Sequence, residues 1–158
     1  MSDSHLAYLN LGSNIQPEAN LPKALEYLSK YGEVQKVSSV WESEAVGAIS
    51  PNYLNVCAKF RSNYSQIALK EQVLQPIEAQ LGRQRSEEKF AARTIDIDIV
   101  IFDDGFINED SWKLAYVIVP LAEIYPTYRN AETGETVAEI ATRLRREVWL
   151  ETRRGVLS

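Results

Sequence analysis

The spacing of apolar residues in this 158-residue chain predicts an α+β fold with an antiparallel sheet. Two observations carry the prediction. Segments in which apolar residues alternate, as in half-buried strands, are interleaved with segments in which they recur at helical spacing. Turn residues separate most of these segments, so the patterns divide into short elements rather than long repeats.

The first two strands flank one helix. Residues 6–11 alternate and stop at Gly12, which predicts a strand followed by a tight turn. Apolar residues then recur at helical spacing from Glu18 to Tyr31, and Gly32 is predicted to cap this helix at its C-terminus. Residues 34–41 are rich in valine and predict the second strand. The irregular stretch that follows, residues 42–51, has the length of a functional loop.

The third strand and the second helix come next. Residues 53–61 alternate, with the even-numbered apolar side chains on one face. Ser65 precedes a long helical pattern that ends at Gly82. Pro76 lies inside this pattern and predicts a kink, because proline removes an amide donor and crowds the preceding turn.

The fourth strand carries two carboxylates on one face. In residues 93–101 the isoleucines from Ile95 to Ile101 are predicted to face the core, and Asp96 and Asp98 to face the other way. A strand rises about 3.3 Å per residue, so the two aspartate Cα atoms are expected about 7 Å apart. Taken alone, the pattern fits either an ordinary solvated strand face or a cation site.

The remaining residues predict a hairpin turn at residues 103–105, an apolar segment of undefined type at residues 117–124, and a last helix. Thr136 and Glu139 form a capping-box pattern at the start of that helix. Val148 is expected on its apolar face, and the arginine-rich end is expected to be solvated helix.

These elements follow the order β-α-β-β-α-β with an additional C-terminal helix. The order matches a ferredoxin-like α+β fold, in which helices cover one face of an antiparallel sheet. The chain is 45% apolar and shows no break in composition, so we expect a single domain over residues 1–158.

Composition excludes several kinds of site and partner. The chain has one cysteine, Cys57, and one histidine, His5, which excludes a structural zinc site made of Cys and His ligands. Cys57 lies in an apolar strand pattern and is expected to be buried. The net charge of -5 argues against nucleic-acid binding. There is no apolar run long enough to cross a membrane and no secretory pattern at the start, so a cytoplasmic location is expected.

Positive charge is concentrated immediately before the fourth strand. The cations there are Arg83, Arg85, Lys89 and Arg93. Mg²⁺ binds through one or two carboxylates together with phosphate oxygens, and arginine binds phosphate in a bidentate manner. The combination of these cations with Asp96 and Asp98 therefore predicts a nucleoside triphosphate bound with Mg²⁺. The sequence has no glycine-rich phosphate loop of the Walker or kinase type.

The sequence KFAARTIDIDIV at residues 89–100 closely resembles the signature of 6-hydroxymethyl-7,8-dihydropterin pyrophosphokinases, which act in folate biosynthesis. Further matches to this family occur in order at residues 11–14, 53–55, 77–78, 82–85 and 120–126. The resemblance covers nearly the whole chain. It implies the same ferredoxin-like fold and the transfer of pyrophosphate from ATP to the hydroxymethyl oxygen of the pterin, with release of AMP.

The resemblance also implies roles for particular residues. Asp96 and Asp98 match the ligands of two Mg²⁺ ions, and Arg83 and Arg93 match catalytic arginines. The positions that match ATP contacts are Gln75, Arg85, Lys89 and Ile99. The positions that match pterin contacts are Gly12, Ser43, Val46, Tyr53, Asn55, Phe90 and Tyr116, the last as a second stacking aromatic.

The chain departs from the family pattern in two places. A Pro-His pair and an arginine, expected after the hairpin that follows the Asp strand, have no counterpart, and that segment looks deleted. In the loop at residues 42–51, the sequence SEAV at residues 43–46 replaces the usual proline-rich version, and the loop is one residue shorter than in the family. Three functions stay open: a pyrophosphokinase with weakened ATP binding, a degenerate relative that binds a nucleotide or pterin-like ligand without transfer, and a ferredoxin-like interaction module.

Overall fold

The structure is a computed structural model that describes residues 4–44, 52–82 and 95–157. Its strands are β1 (His5–Ser13), β2 (Glu33–Val37), β3 (Val40–Ser43), β4 (Tyr53–Ser62), β5 (Asp96–Phe102), β6 (Gly105–Phe106) and β7 (Leu150–Arg153). Its α-helices are α1 (Pro17–Leu28), α2 (Gln66–Ala68), α3 (Gln75–Gln80), α4 (Ala115–Ile124) and α5 (Val137–Leu144). A π-helical segment, Leu69–Leu74, joins α2 to α3, and a 3-10 helix, Glu109–Lys113, precedes α4.

All seven strands belong to one antiparallel sheet, which confirms the predicted α+β class. The strand order is β6-β5-β1-β4-β3-β7, and β2 also pairs with β4. β1 lies in the middle and pairs with β4 along its whole length and with β5 over most of it. The strand predicted over residues 34–41 is two strands, β2 and β3, which pair with successive parts of β4.

Hydrophobic cores lie on both faces of the sheet. Leu9 and Leu11 of β1 pack with α1, α3 and the π-helical segment on the first face. Tyr8, whose side chain points the other way, packs with α4 and α5 on the second face. The prediction of helices on one face therefore describes α1 to α3, whereas the second helical layer was not predicted. The apolar residues 117–124, left undefined by their pattern, belong to α4.

Gly32 does not cap α1, so that prediction was wrong. The helix ends at Leu28, and the φ angle of Gly32 is outside the left-handed region. A Cβ atom at this position would lie 2.5 Å from the carbonyl oxygen of Arg61. Glycine is needed here because the turn after α1 approaches the backbone of β4 closely.

A β-bulge in β5 changes the predicted alternation of the Asp strand. The register with β1 shifts by one residue at Val100. Ile97 packs in the first core, but Ile101 packs in the second. The prediction that Ile101 shares a face with the other isoleucines was therefore wrong. The extra residue reverses the alternation, so the side chain of Ile101 lies on the opposite face of the sheet.

The helix predicted after Ser65 is present but changes its hydrogen bonding before Pro76. The Ser65 side chain caps α2 by accepting a hydrogen bond from the backbone N–H of Ala68. In the π-helical segment that follows, the N–H of Gln75 donates to the carbonyl of Lys70, five residues earlier. Gly82 ends the helix with a φ of 89°, a conformation that favours glycine.

The arginine-rich end forms a strand, so the prediction of a solvated helix was wrong. α5 begins at the predicted capping box but stops at Leu144, and Val148 is 51% exposed. β7 then pairs with β3, whose backbone would otherwise be an open sheet edge. Arg153 links β7 to β3 through a hydrogen bond to Glu42 at 2.8 Å, and to α1 through one to Glu18 at 3.3 Å. None of the helices in the described part of the chain has the length and apolar character needed to cross a membrane.

Candidate active site

Strand register brings three of the predicted site residues into one row. Gly12 of β1 is directly opposite Asn55 of β4 on one side and Asp96 of β5 on the other. Neighbouring strands are about 4.8 Å apart, so the Cα atoms of Asn55 and Asp96 are separated by about 10 Å. A predicted pterin contact and a predicted metal ligand thus lie two strands apart on the second face of the sheet.

Gly12 leaves the space that Asn55 occupies. A Cβ atom at Gly12 would lie 2.8 Å from Asn55 Oδ1. The Asn55 amide is held from its other end, because its Nδ2 donates to Ser43 Oγ at 2.8 Å. Asn55 and Ser43 are both buried, so the amide is fixed in one position before any ligand arrives.

The next row along the sheet contains the second aspartate. Asp98 is opposite Asn10, which in turn is opposite Cys57. Asp98 is exposed and Asp96 is half-buried. Asn10 is only 5% exposed, and its Oδ1 has no hydrogen-bond partner among the described residues. Cys57 is buried, as predicted, and burial raises the pKa of its thiol.

Tyr116 extends the site from the first turn of α4. The residue is 36% exposed. Partial burial raises the pKa of the Tyr116 phenol, and the nearby Asp98, Tyr53 and Asp96 raise it further. The phenol is therefore close enough to both carboxylates and to Tyr53 to interact with them electrostatically. Its role as a second stacking aromatic stays a prediction.

Three cavities are lined by predicted site residues. One of about 710 Å³ is lined by Asp98, Ile99 and Tyr116, and one of about 490 Å³ by Gln75, Glu78 and Asp98. The structure thus places the predicted ATP contacts Gln75 and Ile99 beside Asp98. A third cavity, of about 480 Å³, is lined by Ser43 and Tyr116, which are predicted pterin contacts.

Glu78 is a residue of this site to which sequence reasoning gave no role. Its side chain is 6% exposed, and Oε2 accepts a hydrogen bond from the backbone N–H of Ile97 at 2.9 Å. It therefore anchors the part of β5 between the two aspartates. A signal was present, because Glu78 lies on the apolar stripe formed by Leu74, Ile77 and Leu81, where a charged residue is unusual.

Six of the predicted site residues lie outside the described residues. They are Val46, Arg83, Arg85, Lys89, Phe90 and Arg93.

The two aspartates fit a cation that is shared with phosphate. Within residues 4–44, 52–82 and 95–157, no cluster of three or more His, Cys, Asp and Glu side chains is present that could enclose a metal ion. Mg²⁺ does not need such a cluster, because it commonly binds one or two carboxylates and completes its shell with phosphate oxygens and water. Asp98 at the cavity edge and Asp96 beside it supply oxygen donors of that kind.

Comparison with known proteins identifies relatives of this chain by sequence. Residues 8–126 match the family model for 7,8-dihydro-6-hydroxymethylpterin-pyrophosphokinase. A 2-amino-4-hydroxy-6-hydroxymethyldihydropteridine pyrophosphokinase of Synechocystis is 33% identical over 147 residues, which cover 86% of this chain and 74% of that protein. The protein of the same name in Methylorubrum extorquens is 33% identical over 150 residues, which cover 87% of this chain and 92% of that protein.

The fold is also found in solved structures. The HPPK-DHPS of Plasmodium falciparum in complex with pterin and p-hydroxybenzoate matches 93% of this chain with a TM-score of 0.71. The match covers 44% of that longer chain, and the identity is 12%. At this identity the likeness shows a common fold.

Proposed function

The chain belongs to the 7,8-dihydro-6-hydroxymethylpterin-pyrophosphokinase family, and on that premise we propose that it transfers pyrophosphate from ATP to 6-hydroxymethyl-7,8-dihydropterin. The hydroxymethyl oxygen forms a bond to the β-phosphorus of ATP and loses its proton. The bond from the β-phosphorus to the oxygen it shares with the α-phosphorus breaks. AMP leaves, and the β- and γ-phosphates remain on the pterin.

The observation that carries the proposal is the row Asn55, Gly12 and Asp96. It supports a pterin ring at the β4 end and a triphosphate at the β5 end, within about 10 Å of each other. A transfer between two bound substrates requires this proximity, because much of the rate enhancement comes from holding the reacting atoms together.

Each end of the row has residues suited to its substrate. The Asn55 amide can offer both a donor and an acceptor to the edge of a pterin ring, and the missing side chain of Gly12 leaves room for that amide. Tyr53 and Tyr116 provide aromatic faces for stacking. At the other end, Asp96 and Asp98 would hold two Mg²⁺ ions, which neutralise the triphosphate when bound. Arg83 and Arg93 are proposed to stabilise the charge that develops on the phosphates.

Product analysis tests the proposal. The protein is incubated with ATP, Mg²⁺ and 6-hydroxymethyl-7,8-dihydropterin, and the products are separated by anion-exchange chromatography. We expect AMP and the pyrophosphorylated pterin in equal amounts, with neither formed when the pterin is omitted or EDTA is added. ADP as the nucleotide product would indicate transfer of a single phosphate. The absence of any nucleotide product at saturating substrates would contradict the proposal.

A further inference from the structure

We propose that Trp149, immediately before the C-terminal strand β7, forms a wall of the pterin pocket and contacts the ring of the bound pterin. The inference deepens the proposed function and rests on it. It assigns a binding role to a segment that the family match, which ends at residue 126, does not include.

Strand pairing places Trp149 beside the C-terminal end of β3, where Ser43 contacts Asn55. β7 runs antiparallel to β3, and its first residue, Leu150, is opposite Ser43, the last residue of β3. Ser43 is opposite Tyr53 and accepts the hydrogen bond from Asn55, so its side chain adjoins the row that contains Gly12 and Asp96. The residues before Leu150 therefore lie just beyond Ser43.

The same residues line a cavity with the predicted pterin contacts. The segment from Glu147 to Leu150 lines the cavity of about 480 Å³ on one side, and Ser43 and Tyr116 contribute to the other walls. This volume is within the range of pockets that bind small organic ligands. Lys113 and Glu44 at the same cavity supply polar groups, so an apolar wall is combined with a few polar ones.

Exposure distinguishes Trp149 from the other tryptophans. Trp149 is 44% exposed, whereas Trp41 is 6% exposed and Trp112 is 8% exposed. Tyr116 and Val148, which line the same cavity, are 36% and 51% exposed. The exposed rings of Trp149 and Tyr116 lie at a cavity that Ser43 also lines. A flat heteroaromatic ligand fits such a cavity, because stacking on these rings contributes binding energy and removes them from water.

Binding measurements on Trp149→Ala and Trp149→Phe test the inference. Titration calorimetry gives the Kd of 6-hydroxymethyl-7,8-dihydropterin in the presence of Mg²⁺ and a non-hydrolysable ATP analogue. Loss of one aromatic contact is expected to raise this Kd about three- to tenfold in Trp149→Ala. Trp149→Phe keeps an aromatic ring and is expected to stay within about twofold of the wild type.

Matched controls separate pterin contact from general damage. The affinity for the ATP analogue should be unchanged in both variants, because Trp149 does not line the cavities beside Asp98. Tyr31→Ala removes an aromatic side chain of similar exposure, 38%, that packs near Tyr64 away from the site. This control should bind the pterin with wild-type affinity.

Fluorescence provides a second readout. Because Trp41 and Trp112 are buried, collisional quenching by acrylamide reports mainly on Trp149. Pterin binding is expected to reduce this quenching in the wild type.

Three results would overturn the inference. Wild-type pterin affinity in Trp149→Ala rejects the inference and leaves the proposed function intact. Protection of Trp149 from acrylamide that depends on protein concentration in the absence of ligand indicates that a second copy covers this residue instead. If the wild-type protein binds no pterin in the presence of the analogue, both the inference and the proposed function fail.

Discussion

Gly12 separates the Asn55 amide on one neighbouring strand from the Asp96 carboxylate on the other. Gly12 needs no side chain because the Asn55 side chain occupies the space where a Cβ atom would lie. Its φ angle is an ordinary one, so its backbone conformation does not require glycine. The Asn55 amide is packed against this bare backbone and tied to Ser43. The position of the amide therefore depends on the absence of a single methyl group.

Gly12→Ala is expected to weaken pterin binding selectively. The new methyl group would lie 2.8 Å from Asn55 Oδ1, so the amide must move and its hydrogen bond to Ser43 is strained. We expect a rise of about tenfold in the Kd of the pterin, equivalent to about 1.4 kcal/mol, measured by calorimetry with the ATP analogue present. The affinity for the analogue itself should change by less than about twofold, which is about 0.4 kcal/mol.

Gly105→Ala provides the control for this substitution. Gly105 is also a strand glycine with an ordinary φ angle, and its Cβ atom would meet the Phe102 carbonyl at 3.3 Å, outside the site row. Pterin affinity should be retained in this variant. Equal pterin affinities for Gly12→Ala and the wild type would show that Asn55 does not contact the ligand.

At the residue scale, the sequence predicted which face of the sheet a side chain lies on. It did not predict which residues of the adjacent strands lie opposite that side chain. Alternation within β5 placed Asp96 and Asp98 together on one face, as the structure has them. That Gly12 is opposite both Asn55 and Asp96 depends on the register between strands more than forty residues apart. Register is decided by the packing of both cores and by turn geometry, which no local pattern contains.

At the scale of elements, a single buried carboxylate joins the helix α3 to the Asp strand. Glu78 accepts the hydrogen bond of the Ile97 backbone N–H, between the two aspartates. β5 is paired with β1 along one edge, and β6 reaches only its far end, opposite Ile101 and Phe102. Glu78 thus supplies an acceptor for a backbone group on the edge of β5 that, among the described residues, β6 does not reach.

Glu78→Ala is expected to destabilise the protein and to disturb the aspartates. The variant leaves a buried N–H without its acceptor, which costs about 1–3 kcal/mol of the free energy of unfolding, measured by urea denaturation. Glu78→Gln keeps an acceptor oxygen at the same position and should lose roughly half as much or less. Equal stability of Glu78→Ala and the wild type would contradict an anchoring role.

The elements that the sequence did not predict share a physical cause. The bulge at Val100 and the strand β7 both depend on partners that are distant in the chain. Residues 150–153 contain two charged side chains and form a strand because the β3 edge and Glu42 are available to them. The helices with local signals, such as the capping box at Thr136, began where predicted.

At the scale of the whole molecule, the sheet separates two hydrophobic cores. The row of Asn55, Gly12 and Asp96 lies on the second face, beside the layer of α4 and α5, and α3 of the first layer contributes Gln75 and Glu78 at the sheet edge. Cys57 lies on this second face, in the strand that pairs with β1 throughout its length. Its accessibility therefore reports on opening of the central sheet.

Labelling of the Cys57 thiol is expected to require unfolding. The side chain is 1% exposed, and burial, together with the nearby Glu123 carboxylate, raises the pKa of the thiol. We expect the native protein to react with a disulfide reagent at pH 8 at least about a thousandfold more slowly than the protein in urea. Comparable rates in the two conditions would show that the central strands open without global unfolding.

The same pKa shift predicts the direction of a pH effect. The unfolded thiol ionises at a pH of about 9, whereas the buried thiol stays protonated at that pH. The native state then binds more protons than the unfolded state, so this group lowers stability as pH rises through that value. Urea denaturation at several pH values should show that Cys57→Ala loses less of its free energy of unfolding than the wild type as the pH rises through that value.

Asp96 and Asp98 are proposed to hold the cation for pyrophosphate transfer, and the rate of AMP formation by Asp96→Asn and Asp98→Asn measures whether they do. These variants keep the size of each side chain and remove its charge. At saturating Mg²⁺, ATP and pterin, each is expected to form AMP at least about a hundredfold more slowly than the wild type, with an unchanged Tm. AMP formation at a rate close to that of the wild type in either folded variant would show that the substituted carboxylate does not hold the cation.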